Sequence, residues 1–158
     1  KLATEYLLGQ KVLINHKEYM NFFQQLYQKD FEMLMLKKEG VPIKKAIMID
    51  KDLLKTLDLI ATEKGFNSKE LTELYLLNGL YDTYHASVIE VESNKAFLRK
   101  LSKEASTANN QQLANNILKA VSLYQKGSAA PYFALKDSEG NLKKLNDYKG
   151  KLLYLNFW

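Results

Sequence analysis

The sequence predicts a mostly α protein in which a helical region, residues 1–126, is followed from residue 127 by a β-hairpin and a strand. Apolar residues recur at helical spacing through the first region. After Pro131 they alternate with polar residues, as they do in strands. The chain has only 7 Gly and 2 Pro among 158 residues, which disfavours a turn-rich all-β protein. Its 46% hydrophobic and 26% charged residues are typical of a globular chain of about one domain.

The first two predicted helices have clear apolar faces and clear ends. One runs from Tyr19 to Leu34, with Gly40 and Pro42 ending it. Its apolar face consists of Tyr19, Phe22, Phe23, Leu26, Tyr27, Phe31 and Leu34, and Gln24, Gln25, Gln28, Lys29 and Glu32 lie on the other face. The next runs from Lys51 to Lys64 and ends at Gly65, a residue that readily takes positive φ. Its inward residues are Leu53, Leu54, Leu57, Ile60 and Ala61.

Three more helices are predicted before residue 127. Asn67 is a candidate N-cap, with Glu70 placed as in a capping box. The helix behind it carries Leu71, Leu74, Leu77, Leu80, Tyr81 and Tyr84 on its apolar face. Gly79 lies inside this helix, where it costs about 1 kcal/mol relative to Ala, and close packing against a neighbouring helix would explain it. The last two helices span residues 93–104 and 109–125, and Gly127 stops the second.

The segment from residue 127 onward predicts the beginning of a second domain. Asp137 to Asn141 is a turn signal between two short strands, and residues 146–150 form a second turn or a short helical turn. The apolar run 152–158 suits a central strand, which needs neighbours on both edges. We therefore expect residues 152–158 to pack on the helices, to pair with a second copy by strand exchange, or to be followed by further residues. Because the chain begins at Lys1, we also expect a processed chain or a piece of a longer one.

Composition disfavours several classes of function. The net charge is +5, but only one of the 23 basic residues is an arginine, Arg99, which disfavours nucleic-acid binding. The longest apolar runs are far short of a membrane span. The chain has no cysteine, so it can form no disulfide, zinc–thiolate site or cysteine nucleophile. His16 and His85, the only histidines, lack metal-ligand spacing.

The acidic residues indicate helix starts more than acid–base chemistry. Asp50 and Asp52 are two residues apart, as are Glu90 and Glu92, and residues at this spacing do not face each other on a helix. Asp50 or Asp52 is better interpreted as a helix-start residue. We predict no catalytic, cofactor-binding or metal-binding residue in this chain.

The aromatic residues leave two interpretations open. There are 10 Tyr and 7 Phe, many on the predicted helices 19–34 and 71–84. Core packing between these helices is the structural interpretation. The functional interpretation is an exposed groove for an extended or unfolded client, because tyrosine combines an apolar ring with a hydrogen-bonding hydroxyl. The candidates for such an interaction surface are Tyr75, Tyr81 and Tyr84.

Residues 127–158 carry three closely spaced patterns. The first contains Gly127, Ala130, Pro131, Phe133, Leu135, Asp137 and Gly140; the second Leu145, Asp147, Gly150 and Lys151; and the third Asn156, Phe157 and Trp158. The segment resembles the start of the TlpA-like thiol-disulfide oxidoreductases, redoxin-type proteins with a thioredoxin fold. The upstream helical region is similar to the one that precedes the thioredoxin domain in some bacterial proteins of this kind, at residues 7–31 and 76–82.

The resemblance implies that the sequence ends before the family's C-x-x-C motif. The parent would be an exported, often membrane-tethered protein of a Gram-negative bacterium, periplasmic or otherwise extracytoplasmic, that exchanges disulfides with protein partners. This chain would be its non-catalytic part, a helical region plus a truncated thioredoxin-like α/β domain. The helices would position the redox domain, a substrate or a second protomer. Two alternatives stay open: a helical protein-interaction module with no redox role, and a small helical enzyme or ligand-binding domain with its site among the tyrosines.

Overall fold

The computed structural model describes residues 12–123 and 127–154, apart from the side chain of His85. The helices in it are α1 (Lys17–Tyr27), α2 (Asp30–Met35), α3 (Val41–Lys45), α4 (Leu53–Lys64), α5 (Lys69–Ala86), α6 (Val91–Glu104) and α7 (Ala108–Ser122). A 3₁₀ turn (Lys38–Gly40) precedes α3, and a π turn (Ala46–Asp50) follows it. Strands β1 (Ala134–Lys136) and β2 (Leu142–Lys144) come next, followed by a 3₁₀ turn (Leu145–Tyr148). The predicted mostly α fold class is confirmed.

The chain divides into two compact units, Lys1–Val121 and Ser122–Trp158. We call them the helical unit and the hairpin unit. This division lies slightly before the predicted domain boundary between residues 126 and 127. The two-domain organisation itself stays a prediction.

The first predicted helix is interrupted at its centre, so the prediction of one helix over 19–34 is wrong. Helix α1 ends at Tyr27 with Gln28 as its C-cap, and Lys29 takes the left-handed conformation with φ 57° before α2 begins. Pro42 lies in the first turn of α3, where its missing N–H is not needed, so it begins a helix here. The predicted end of the first helix at Gly40 and Pro42 is therefore also wrong.

The ends of α4 and α5 depend on polar caps. Asp52 caps α4 by accepting a hydrogen bond from the Lys55 N–H at 3.0 Å, which agrees with its interpretation as a helix-start residue. Gly65 ends α4 with φ 67°, as predicted. Ser68, not Asn67, caps α5, by accepting from the Leu71 N–H at 3.3 Å. The predicted cap is thus wrong by one residue.

Helix α5 is the central element of the helical unit. Fully buried leucines lie on several sides of this helix, as expected of a helix surrounded by others. They are Leu71, Leu74, Leu76, Leu77 and Leu80. Helices α2, α4 and α6 pack against it. Leu54 of α4, predicted to point inward, is 66% exposed, while the adjacent Leu53 is buried.

Two close contacts fix the neighbours of α5. A Cβ on Gly79 would lie 2.2 Å from Cγ of Phe31, so the absence of a side chain lets α2 approach α5. This confirms the predicted role of Gly79. At the other end of α5, the buried Glu73 carboxylate accepts hydrogen bonds from the Ser106 N–H at 2.9 Å, the Ser106 hydroxyl at 2.7 Å and Nδ2 of Asn110 at 3.1 Å. Glu73 therefore holds the connection between α6 and α7 against α5.

An aromatic junction joins α1, α2 and α5. The ring of Tyr75 meets the rings of Tyr27, Phe31 and Phe66 edge to face, at centroid distances of 5.2, 5.6 and 5.5 Å. The Tyr75 hydroxyl donates to Oδ2 of Asp30 at 2.6 Å. In contrast, the buried Tyr27 hydroxyl has no hydrogen-bond partner among the described residues, and burial raises the pKa of Tyr27 to about 12.

This difference between two packed tyrosines predicts opposite effects of the same substitution. Tyr75→Phe should lower the free energy of unfolding by about 1.5 kcal/mol, because Asp30 loses a donor. Tyr27→Phe should be neutral or raise it by about 1 kcal/mol, because it removes a buried hydroxyl without a partner. Urea unfolding of both variants checks the prediction. Equal destabilisation by the two substitutions would contradict it.

The hairpin unit contains the predicted β-hairpin. Strands β1 and β2 are antiparallel, with Leu135 opposite Lys143, and the turn lies at 137–141 as predicted. The 3₁₀ turn Leu145–Tyr148 agrees with the predicted short helical turn. Residues 152–154 form no strand, and Leu152 and Tyr154 are exposed. The rest of the predicted strand, 155–158, and the predicted end of the last helix near Gln125 lie outside the described residues.

Candidate functional site

The three tyrosines proposed as an interaction surface lie in three different environments. Tyr75 is only 1% exposed, so its prediction as a surface residue is wrong: its ring is part of the aromatic junction. Tyr84 is half-buried and packs against the core. Tyr81 is 43% exposed and lines a groove between α1 and α5. Only Tyr81 therefore remains a clear candidate for contact with another molecule.

Amide side chains dominate the wide part of this groove, which has a volume of about 380 Å³. One wall is formed by Asn21, Gln24, Gln25 and Gln28, which recur at helical spacing on α1 and its C-cap. The opposite wall is formed by Asn78, Tyr81 and Asp82 of α5. We call the whole depression the Tyr81 groove.

The groove continues into an apolar recess of about 230 Å³. Gln24, Asn78 and Tyr81 line both parts and so connect them. The remaining walls of the recess are apolar and come from three helices: Met20, Leu74, Leu113 and Ile117. A small apolar side chain could be buried there while polar groups attached to it meet the amides.

Asp82 carries the one carboxylate among the residues that line the Tyr81 groove. Its Oδ2 accepts a hydrogen bond from Nδ2 of Asn78 at 3.1 Å, which holds the carboxylate along the α5 wall. The chain as a whole has a net charge of +5, so this groove is locally different from the average surface.

Sequence reasoning found Tyr81 but missed the other groove residues. Gln24, Gln25 and Gln28 were interpreted only as the polar face of the first helix. Together with Asn21 these three residues recur at helical spacing, and that spacing indicates an amide-rich face. Asn78 and Leu113 gave no comparable signal, because their approach to α1 depends on how three helices pack.

No metal site is formed in the part of the chain that the structure describes: no three His, Asp or Glu side chains there are grouped to hold an ion. Within the same residues, every helix is too short or too polar to cross a bilayer.

In the hairpin unit, the residues of the family-like patterns determine backbone turns. Asp137 accepts hydrogen bonds from the N–H groups of Glu139 at 3.0 Å and Asn141 at 2.8 Å. Gly140 follows in the turn with φ 84°. Asp147 accepts from the Lys144 N–H at 2.8 Å and caps the 3₁₀ turn. Three pattern positions therefore have a structural role and no evident chemical one.

The turn at Asp137 should depend on pH. The backbone N–H groups that Asp137 accepts from, Asn141 foremost, hold the pKa of its carboxyl below the ordinary aspartate value. The stabilisation is therefore complete above that ordinary value and is lost as the pH falls through the lowered pKa. We expect the Asn141 amide resonance to titrate with a midpoint below 3.8, the ordinary aspartate value. A midpoint at or above that value would contradict the hydrogen-bonded turn.

Comparisons with known proteins find short similarity to one kind of enzyme. The thiol-disulfide oxidoreductase ResA of Geobacillus thermodenitrificans (strain NG80-2) is 56% identical to this chain over 32 residues. The ResA of Geobacillus kaustophilus (strain HTA426) is 53% identical over 32 residues. The match covers 20% of this chain and 18% of either relative. No family model matches the chain, and no solved structure matches it significantly. A short segment of the chain is thus similar to thiol-disulfide oxidoreductases of the ResA kind.

Proposed function

We propose that this chain is the non-catalytic part of an extracytoplasmic, TlpA-like thiol-disulfide oxidoreductase. The observation that carries the proposal is the identity of 53–56% with ResA over 32 residues. We infer that the match falls on the hairpin unit, because the family-like patterns lie there. The turns at Asp137 and Asp147 give those patterns a defined backbone.

The proposal places the thiol chemistry outside residues 1–158. Disulfide exchange requires a thiolate as the nucleophile and a second cysteine to resolve the mixed disulfide. This sequence contains no cysteine. The parent would supply both thiols in a C-x-x-C motif and would exchange disulfides with protein partners. The helical unit would contribute positioning, substrate or protomer contacts.

The test is peptide mapping and intact mass of the protein from its native source. We expect a longer chain in which C-x-x-C follows Trp158 within about ten residues, at the start of a helix that lowers the thiol pKa. That longer protein should catalyse thiol exchange, and residues 1–158 alone should not. A native chain with no C-x-x-C after Trp158 would overturn the proposal.

The alternative is a helical protein-interaction module with no redox role, which the Tyr81 groove favours. Strand exchange between two copies through residues 152–158 is compatible with either function. The exposed side chains of Leu152 and Tyr154 support such an exchange. Light scattering of the chain with and without residues 151–158 tests the exchange. A dimer that the deletion converts to a monomer is the expected result, and an unchanged monomeric mass of both would exclude the exchange.

A further inference from the structure

We propose that the Tyr81 groove binds an extended peptide segment that carries an apolar side chain followed by a basic one. This inference specifies the substrate contacts proposed for the helical unit. The inference rests on three features of the groove: its side-chain amides, its apolar recess and its single carboxylate.

The amide wall favours an extended main chain. Each Asn or Gln side chain offers both a donor and an acceptor, as each peptide unit does. None of the hydrogen bonds within the described residues uses the side-chain amides of Asn21, Gln24, Gln25 or Gln28. A helical peptide satisfies its own main-chain groups, whereas an extended one presents them to such a wall. An extended segment therefore makes better use of these four amides than a helix does.

The apolar recess selects one side chain. Met20, Leu74, Leu113 and Ile117 surround about 230 Å³, and the exposed ring of Tyr81 lies at its rim. Gln24 and Asn78 border the recess, so a residue whose side chain enters it would have its backbone at the amides. Leucine or methionine suits this arrangement better than a charged residue, which would lose its hydration there.

The Asp82 carboxylate determines in which direction the bound peptide segment runs along the groove. Asp82 lines the amide-rich part of the groove and is absent from the lining of the apolar recess. A lysine that follows the recess residue on the side of Asp82 would form an ion pair with that carboxylate. A glutamate at the same place would be repelled by it. Charge complementarity therefore distinguishes this occupant from an acidic peptide.

The test is titration of the chain with capped glycine–serine peptides that contain one leucine and, three residues later, one lysine. Side-chain amide resonances of Gln24 and Asn78, followed by NMR, should shift saturably. Replacing the peptide lysine by glutamate should weaken binding about tenfold, as expected for exchanging attraction for repulsion. Replacing the leucine by serine should abolish saturation.

Matched variants of the protein locate the site. Tyr81→Ala should weaken binding about tenfold or more, as loss of an aromatic anchor does. Tyr132→Ala removes a tyrosine that is 68% exposed in the hairpin unit and should change nothing. Asp82→Asn should remove the preference for lysine over glutamate, whereas Glu104→Gln, at an exposed position of α6, should keep it.

Three results would overturn the proposal. They are no saturable shift for any peptide, equal weakening by Tyr81→Ala and Tyr132→Ala, and a dimer that Tyr81→Ala dissociates, which would identify a second copy as the occupant. The peptides contain no cysteine, so failure of the titration leaves the proposed thiol-disulfide parent intact. A native chain without C-x-x-C would in turn overturn that parent and leave the peptide binding unaffected.

Discussion

Glu73→Ala should lower the free energy of unfolding of the helical unit by about 3 kcal/mol. Glu73 is 1% exposed, and its carboxylate accepts from two donors of Ser106 and from Nδ2 of Asn110. Nδ2 of Asn110 retains one hydrogen bond, to the Glu70 carbonyl at 3.0 Å, but its hydrogen bond to residue 73 is lost. The substitution therefore leaves donors without partners and an unfilled space inside the unit.

Urea unfolding measures this effect, with Glu104→Ala as the matched control. Glu104 lies exposed in the last turn of α6, so its removal should change stability by less than about 0.5 kcal/mol. Glu73→Gln keeps one acceptor oxygen and should lie between the two. Hydrogen exchange at the Ser106 amide should accelerate in Glu73→Ala. Equal stabilities of the Glu73→Ala and Glu104→Ala variants would show that the buried carboxylate contributes nothing.

Gly79→Ala should destabilise the protein by about 2 kcal/mol, although alanine is the better helix former. The helix preference favours alanine by about 1 kcal/mol. Against it, the added Cβ would lie 2.2 Å from Cγ and 2.4 Å from Cδ1 of Phe31, which is 1% exposed and so has little freedom to move. Overpacking of this kind costs about 1–3 kcal/mol or more, so the steric effect outweighs the preference.

A double-mutant cycle with Phe31→Ala isolates the contact. The Phe31→Ala background lacks Cγ and Cδ1, the two nearest atoms, and keeps only the Cβ at 2.7 Å, so Gly79→Ala should cost clearly less there than in the native background. Calorimetry or urea unfolding of the four proteins gives the coupling. The same loss of stability in both backgrounds would show that Gly79 is needed for a reason other than the approach of Phe31.

Local signals predicted those elements whose ends depend on nearby residues. Gly65 ends α4 because positive φ is favourable for glycine. The hairpin turn follows from Asp137 and Gly140, whose geometry is set within five residues. Ser68 was missed as the cap of α5 because Asn67 beside it has equivalent capping chemistry.

Features that depend on distant residues could not be predicted. The break at Lys29 has no glycine or proline to signal it, and Lys29 adopts positive φ where α1 gives way to α2. Tyr75 and Tyr81 lie on the same helix, yet the first is buried and the second exposed. Tyr75 is distinguished by Asp30, its hydrogen-bond partner 45 residues away in sequence.

The aromatic junction gives the helical unit an optical signal of its own. The chain's single tryptophan is Trp158, in the hairpin unit, so the near-ultraviolet circular dichroism of the helical unit arises from tyrosine and phenylalanine. Tyr75 meets three rings at fixed tilts, and such asymmetric packing produces ellipticity that vanishes when side chains lose their fixed positions. The loss of this near-ultraviolet ellipticity on heating can therefore follow the melting of the aromatic junction, without any label.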